Sequence, residues 1–247
     1  MTGTPRMLVV EHEAECPPAH LGRWLTEAGA DLDVCRPYAG DALPALESYD
    51  ALVVLGGSMG ADDDAEVDWI GPAKRMLTDA VRGEVPTLGI CLGHQLLASA
   101  LGGTVIANPL GQQLGLIPVG WTGTAADDPL VGGLADGAPR RGVHWNHDIV
   151  AALPDGARLL AATPADEVQA VRFGPRAWGV QWHPEVDVPV LVSWAEGDRA
   201  DHLERGIDQQ ALLGEIDAAR DELDSAWRPL AAAFTAIAAR SRGESRR

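Results

Sequence analysis

The strongest constraint on this chain is a series of short, uninterrupted apolar runs separated by glycine turns and amphipathic stretches. Met7–Glu11, Ala51–Leu55 and Pro86–Ile90 lack the polar alternation of a strand with one wet face. Runs of this kind read as strands buried on both sides, as in parallel sheets. Asp31–Cys35 reads as a further strand. Between the first two strands, Pro17-Pro18 precedes Leu21, Trp24, Leu25 and Ala28, one apolar helical face that ends at Gly29. The turn Gly56–Gly60 and the acids Asp62-Asp63-Asp64 lead into a helix expected over Glu66–Arg82, whose N-terminus the three acids would cap and charge. Cys91 to Leu101 reads as a helix closed by Gly102-Gly103. Strand–helix alternation of this sort predicts an α/β fold, a mostly parallel central sheet flanked by helices.

Beyond Thr104 the texture changes to shorter strands, at Thr104–Ala107, Leu114–Val119, Ala157–Ala161, Val168–Phe173 and Trp178–Trp182. The last three are separated by turns, which predicts a small antiparallel extension of the sheet. From about Val190 the chain reads as helix, with Ile207, Leu212, Ile216, Leu223, Trp227, Leu230, Phe234 and Ile237 at spacings that suit one apolar face. The expected organisation is one domain over residues 1–190 and a helical extension over 191–247 packed on it, with Ser241–Arg247 a frayed, solvated tail.

Charge narrows the function classes. Thirty-six Asp+Glu stand against 19 Lys+Arg, a net charge of −17 over 247 residues, and Lys74 is the only lysine. Nucleic acids and anionic membranes both need a dense basic face, so neither is an expected partner. The apolar stretches fall short of the roughly 20 residues of a membrane span, and the N-terminus lacks a leader pattern, so a cytoplasmic protein is expected. Cys16, Cys35 and Cys91 share no metal-ligand spacing and cannot all pair, and Cys16 and Cys35 read as passive thiols. His144 and His147 have an H-x-x-H spacing with nothing nearby to complete a zinc set. Neither metal nor cofactor is expected. Trp121, Trp145, Trp178, Trp182 and Trp194 read as core or pocket walls.

Two segments carry chemistry. Gly89-Ile90-Cys91-Leu92-Gly93 sits where a strand gives way to a helix, and its small flanking residues permit a tight turn that lifts one side chain above the sheet edge. A helix N-terminus favours a thiolate there. Taken alone, the segment suits a nucleophilic cysteine and a passive buried one equally. Gly179-Val180-Gln181-Trp182-His183-Pro184-Glu185 ends a second apolar strand. Residues i and i+2 of extended chain point to one side, so Glu185 can orient His183 while the other imidazole nitrogen faces a thiol. That pairing favours the nucleophile.

Together GICLGHQ and GVQWHPE resemble the motifs of the class I, triad-type glutamine amidotransferases, and the likeness spans about residues 5–190. The resemblance implies a flavodoxin-like architecture, with Cys91 as nucleophile, His183 as general base and acid, and Glu185 as orienting carboxylate. It implies an oxyanion hole from the backbone N–H groups of Gly57 and Leu92. It places Gln95 near the substrate and puts His144–Asp148, with Asn146, His147 and Asp148, in the loop that holds the amino-acid end of glutamine. Where the family often carries a glutamate followed by Ile-Gly, this chain has Gln112-Gln113-Leu114-Gly115. The implied reaction is hydrolysis of the glutamine side-chain amide through a γ-glutamyl thioester, with ammonia passed to a separate synthase or ligase. Two alternatives stand beside it: hydrolysis of other γ-glutamyl amides or peptides by the same triad, and a non-catalytic regulatory module on this fold.

Overall fold

A computed structural model describes residues 3–137 and 140–245. Its centre is an eight-stranded sheet. The strands are β1 (Arg6–Val10), β2 (Asp31–Cys35), β3 (Ala51–Val54), β4 (Thr87–Ile90), β7 (Gly120–Trp121), β10 (Arg158–Ala162), β11 (Val168–Gly174) and β12 (Ala177–Val180). Their order is β2-β1-β3-β4-β12-β11-β10-β7. The first five run parallel, and β11, β10 and β7 continue the sheet antiparallel. β12 is therefore the junction. The sequence assigns Trp178–Trp182 to the antiparallel extension, but this strand also pairs in parallel with β4, with Val180 opposite Ile90. It ends at Val180, two residues earlier than expected.

The continuous apolar strands divide their side chains between two cores. Met7, Val9, Ala51 and Val53 face one side, where α1 (Ala19–Glu27) adds Leu21, Trp24 and Leu25. Leu8, Val10, Leu52 and Val54 face the other, against α2 (Ile70–Arg82) and α3 (Leu92–Ala100). Period-two alternation between two apolar layers explains why these strands show no polar face. The C-terminal region forms α4 (Val188–Gly197), α5 (Arg199–Glu204), α6 (Gln209–Ala218) and α7 (Arg220–Ser245). From α7, Trp227, Leu230, Phe234 and Ile237 complete the same core as α1.

Two small antiparallel sheets accompany the main one: β5 (Thr104–Ala107) pairs with β9 (Asp148–Ala152), and β6 (Gln113–Pro118) with β8 (Arg141–Asn146). β8 and β9 carry residues that the sequence placed in a loop, and His147 is the single residue that turns one into the other.

Further differences from expectation have local causes. The acids of 62–64 do not cap α2, which begins at Ile70. Asp62 and Asp64 pair instead with Lys74, and Asp63 accepts from the Gly60 N–H at 2.6 Å, closing the turn before the helix. Part of the expected solvated tail is helical and tied down. Ser241 Oγ accepts from Arg176 at 2.7 Å, and Arg242 pairs with Asp50 at 3.0 Å. Arg246 and Arg247 lie outside the described residues.

Candidate active site

The parallel strands end side by side, and their carboxyl ends supply the chemistry-bearing residues. This edge is where ligands bind in open α/β sheets. β1 runs into Glu11-His12-Glu13, β3 into Leu55-Gly56-Gly57, β4 into Cys91, and β12 into Gln181 and His183. The Cys91 N–H donates to Val180 O at 2.9 Å, and the His183 N–H donates to Val143 O at 2.8 Å. These bonds lock the two strand ends to each other and to β8.

Cys91 adopts φ +49° and ψ −105°, a backbone state that L side chains rarely occupy. Its flanking glycines make the turn possible. A Cβ on Gly89 would lie 2.4 Å from Gly93 O, and one on Gly93 would lie 2.1 Å from Val54 O. Both positions need the missing side chain for close approach of backbone to backbone.

His183 and Glu185 are buried, and Nδ1 of the imidazole lies 2.6 Å from Glu185 Oε1. Burial alone would strip the proton from His183. The charges of Glu185 and Cys91, with their hydrogen bonds, outweigh that and raise the imidazole pKa to about 10. Gly56 lies between the histidine and the cysteine, since a Cβ there would be 3.1 Å from His183 Cε1 and 3.6 Å from Cys91 Cβ. The Trp194 ring covers the imidazole from α4, with centroids 4.7 Å apart.

A cavity of about 600 Å³ opens onto Cys91 and His183. Gly57, Gln95, Asn146, His147 and Asp148 line it with Cys91 and His183, so the expected substrate-side residues converge on one space. Leu92 follows Cys91 at the start of α3, and a Cβ on Gly57 would touch its Cδ2 at 3.0 Å. Gln95 donates to Asp148 O at 2.9 Å and to Gln181 Oε1 at 3.2 Å. Asn146 donates to Gln113 Oε1 and to Asp148 O. These bonds make Gln95 and Asn146 braces for the β8–β9 turn.

The sequence reading missed three contributors. Gln181 donates to Cys91 Sγ at 3.5 Å; it precedes His183 by two residues, so period two could have found it. Cys16, expected to be passive, lines the cavity, and its thiol donates to Glu13 Oε1 at 3.2 Å. Burial and that carboxylate push its pKa far up. The third is the rest of α4: Ser193, Glu196, Gly197 and the adjoining Asp198 form one wall together with Trp194, which the sequence reading had as a wall of core or pocket. Nothing local in the sequence links it to Cys91. A larger hollow, about 1270 Å³, lies at the opposite edge of the sheet beside Arg6, Asp50 and Arg242. Its lining holds neither a cysteine nor a histidine.

The model of the family "Glutamine amidotransferase class-I" matches residues 20–189. A glutamine-hydrolyzing GMP synthase subunit from Halobacterium salinarum is 42% identical over 145 residues, covering 58% of this chain and 70% of that protein. The putative glutamine amidotransferase-like protein YfeJ of Salmonella typhimurium is 31% identical over 191 residues, 75% of this chain and 78% of its own length. The crystal structure of a glutamine amidotransferase from Thermotoga maritima superposes with a TM-score of 0.82 at 25% identity, covering 94% of this chain and 98% of that one. With strand ends, elbow and family match in agreement, the chain belongs to the class-I glutamine amidotransferases.

Proposed function

We propose that this protein hydrolyses the side-chain amide of glutamine through a thioester on Cys91, by a Cys91–His183–Glu185 triad. The observation that carries the reading is His183 held at 2.6 Å by Glu185 and set beside Cys91 at the carboxyl ends of adjacent strands. The Cys91 sulfur attacks the amide carbon, and a C–S bond forms. The oxygen takes negative charge, and the N–H groups of Gly57 and Leu92 are the donors available to it, one such donor contributing about 3–4 kcal/mol. His183 gives its proton to the departing nitrogen as the C–N bond breaks, then takes one from the water that cleaves the thioester. Glu185 fixes the imidazole orientation and favours its charged form. Gln95, Asn146, His147 and Asp148 surround the amino-acid end of the substrate.

Ammonia is the first product, and similarity to a component of a glutamine-hydrolyzing GMP synthase supports its delivery to a separate acceptor enzyme. A second reading, hydrolysis of substituted γ-glutamyl amides, is favoured by one observation: α4 extends the cavity wall beyond the triad.

The test is chemical. A glutamine-like diazoketone should label Cys91 and spare Cys16 and Cys35, and Cys91→Ser should fold yet lose nearly all turnover. Label on another cysteine, or full activity in Cys91→Ser, would refute the triad.

A further inference from the structure

One carboxylate outside the cavity ties the main sheet to both small ones. Glu167 sits in the turn between β10 and β11, where the Thr163 N–H donates to Glu167 O at 2.8 Å and Thr163 Oγ donates to Glu167 Oε2 at 2.9 Å. Two further donors come from the small sheets. Asn108, just after β5, donates through Nδ2 to Oε1, and Gln113, at the start of β6, donates through Nε2 to Oε2, each at 2.6 Å. Gln113 belongs to the segment Gln112–Gly115, where the family often carries a glutamate; here the carboxylate stands one hydrogen bond away, on Glu167.

From Glu167 the bonds lead to the cavity by two routes. Along the first, Gln113 Oε1 accepts from Asn146 Nδ2 at 3.0 Å, and Asn146 also donates to Asp148 O at 2.9 Å. Along the second, the Asn108 N–H donates to His147 O at 2.8 Å. Asn146, His147 and Asp148 line the cavity, whereas Glu167 lies outside its lining. An ionised carboxylate can accept but not donate, so it admits only the Gln113 orientation that turns Nε2 to Glu167 and Oε1 to Asn146. That oxygen in turn requires the Asn146 amide nitrogen, the same atom that reaches Asp148 O. Reversing Gln113 would set oxygen against oxygen at one end and nitrogen against nitrogen at the other. Gln113 and Asn146 are buried, where such mismatches are costly.

We propose that Glu167 is a positioning residue for glutamine binding. By orienting the Gln113 and Asn146 amides and holding Asn108, it sets the backbone of the β8–β9 turn against which the amino-acid end of the substrate rests. The inference rests on the thioester reading above, which seats that end at Asn146–Asp148. Glu167 touches neither substrate nor reacting atoms, so its loss weakens binding and leaves the chemistry at Cys91 nearly intact. The relay needs matched polarity, and exchanging the two residue types keeps it. A carboxylate at position 113 accepts from Asn146 on one oxygen and from the amide nitrogen at position 167 on the other. The amide oxygen at position 167 still accepts from Asn108, and the Thr163 hydroxyl can donate or accept.

The test measures glutamine kinetics in Glu167→Gln, in Gln113→Glu and in the exchanged pair Gln113→Glu/Glu167→Gln. In Glu167→Gln the KM for glutamine should rise about tenfold, the scale of one charge-assisted hydrogen bond, while kcat falls less than about twofold. Gln113→Glu sets two carboxylates face to face and should raise KM at least as far. The exchanged pair should bring KM back to within about threefold of the wild type, a recovery that two independent losses cannot give. A merely structural role would damage kcat and KM together and would not respond to the exchange. An unmoved KM in Glu167→Gln, a parallel loss of kcat, or an exchanged pair no better than Glu167→Gln, through misfolding or otherwise, would overturn the inference. The thioester reading survives each of these outcomes if the wild type consumes glutamine and takes the diazoketone on Cys91. A wild type that does neither would overturn both.

Discussion

At Cys91 the chain holds a backbone conformation that costs about 1–3 kcal/mol, and the flanking glycines and the strand-end bond to Val180 keep it there. That strain sets the sulfur at a strand end beside His183, whose electrostatics are the more testable half of the pair. The His183 pKa is raised from 6.5 to about 10, because Glu185 and Cys91 together outweigh burial. A pKa raised on folding stabilises the folded state fully below the unfolded value, here 6.5, and that contribution is lost as pH rises through about 10. The imidazole accordingly keeps its proton through neutral pH, as the proposed transfer to a leaving amine requires. Glu185→Gln removes the carboxylate charge and should bring the imidazole pKa down, shifting the alkaline fall of kcat/KM to lower pH; a pH–rate series on both proteins reads this directly. An unmoved alkaline limb would mean that Glu185 does not set the protonation of His183. Turnover should fall less in Glu185→Gln than in His183→Ala, which has no proton carrier at all. Cys91, His183 and Glu185 were legible in the sequence because each lies in a local motif with a fixed spacing. Trp194 was legible only as a wall of core or pocket and Glu196 not at all: both reach the same cavity from another element, and only tertiary packing brings them there.

The central strands were legible for a simple reason. Residues buried on both faces must be apolar at every position, and Met7–Val10 and Ala51–Val54 are. β8 and β9 escaped notice because Arg141–Asn146 and Asp148–Ala152 mix polar and apolar residues and meet at one residue without a glycine or proline. Their pairing with β6 and β5 lies beyond the range of local pattern. The apolar stripe of the C-terminal helices was visible, but its destination was not. In the structure α7 inserts Trp227, Leu230 and Phe234 into the core shared by α1 and the sheet, and Trp227 Nε1 donates to Arg141 O at 3.0 Å. Trp227→Ala should therefore destabilise by about 3–5 kcal/mol. At roughly 2–4 °C per kcal/mol for a chain of this size, Tm should drop by about 10 °C. Leu203→Ala, on α5 where Leu203 is 79% exposed, should change Tm by almost nothing. Truncation before Ile207 removes the whole stripe and should give an aggregating protein. If calorimetry finds equal midpoints for the wild type and Trp227→Ala, the helix is not integral to the core.

Across the whole molecule the governing quantity is charge. Thirty-six carboxylates and 19 basic groups leave −17 in excess, which no arrangement of local pairs can cancel. Many of the ion pairs bridge exposed side chains, such as Arg6–Asp33, Arg205–Asp201 and Arg220–Asp217. Exposed pairs contribute about 0–1 kcal/mol each and are themselves weakened by salt. Two effects of salt therefore oppose one another at neutral pH: loss of local attraction, and relief of the repulsion that the excess negative charge imposes on the folded state. The second reaches further. At about 0.01 M salt the screening length is roughly 30 Å, so carboxylates across much of the molecule repel; at about 0.1 M it is roughly 10 Å and only neighbours interact. Most exposed pairs sit at contact distance, where screening removes less than it does between remote like charges. Tm at about pH 7.5 should therefore rise as sodium chloride increases from about 0.01 to 0.3 M, levelling off once the screening length falls below the spacing of surface carboxylates. Lowering pH toward about 5 at low salt should instead lower Tm: few carboxylates take a proton there, whereas His12, His94 and His144, held neutral by burial with pKa values lowered to about 4, 3 and 3, take protons first in the unfolded chain below pH 6.5. Scanning calorimetry over a salt series at the two pH values separates these effects. A Tm that falls with salt at the higher pH would show that the local ion pairs, and not the net charge, dominate the electrostatics of this fold.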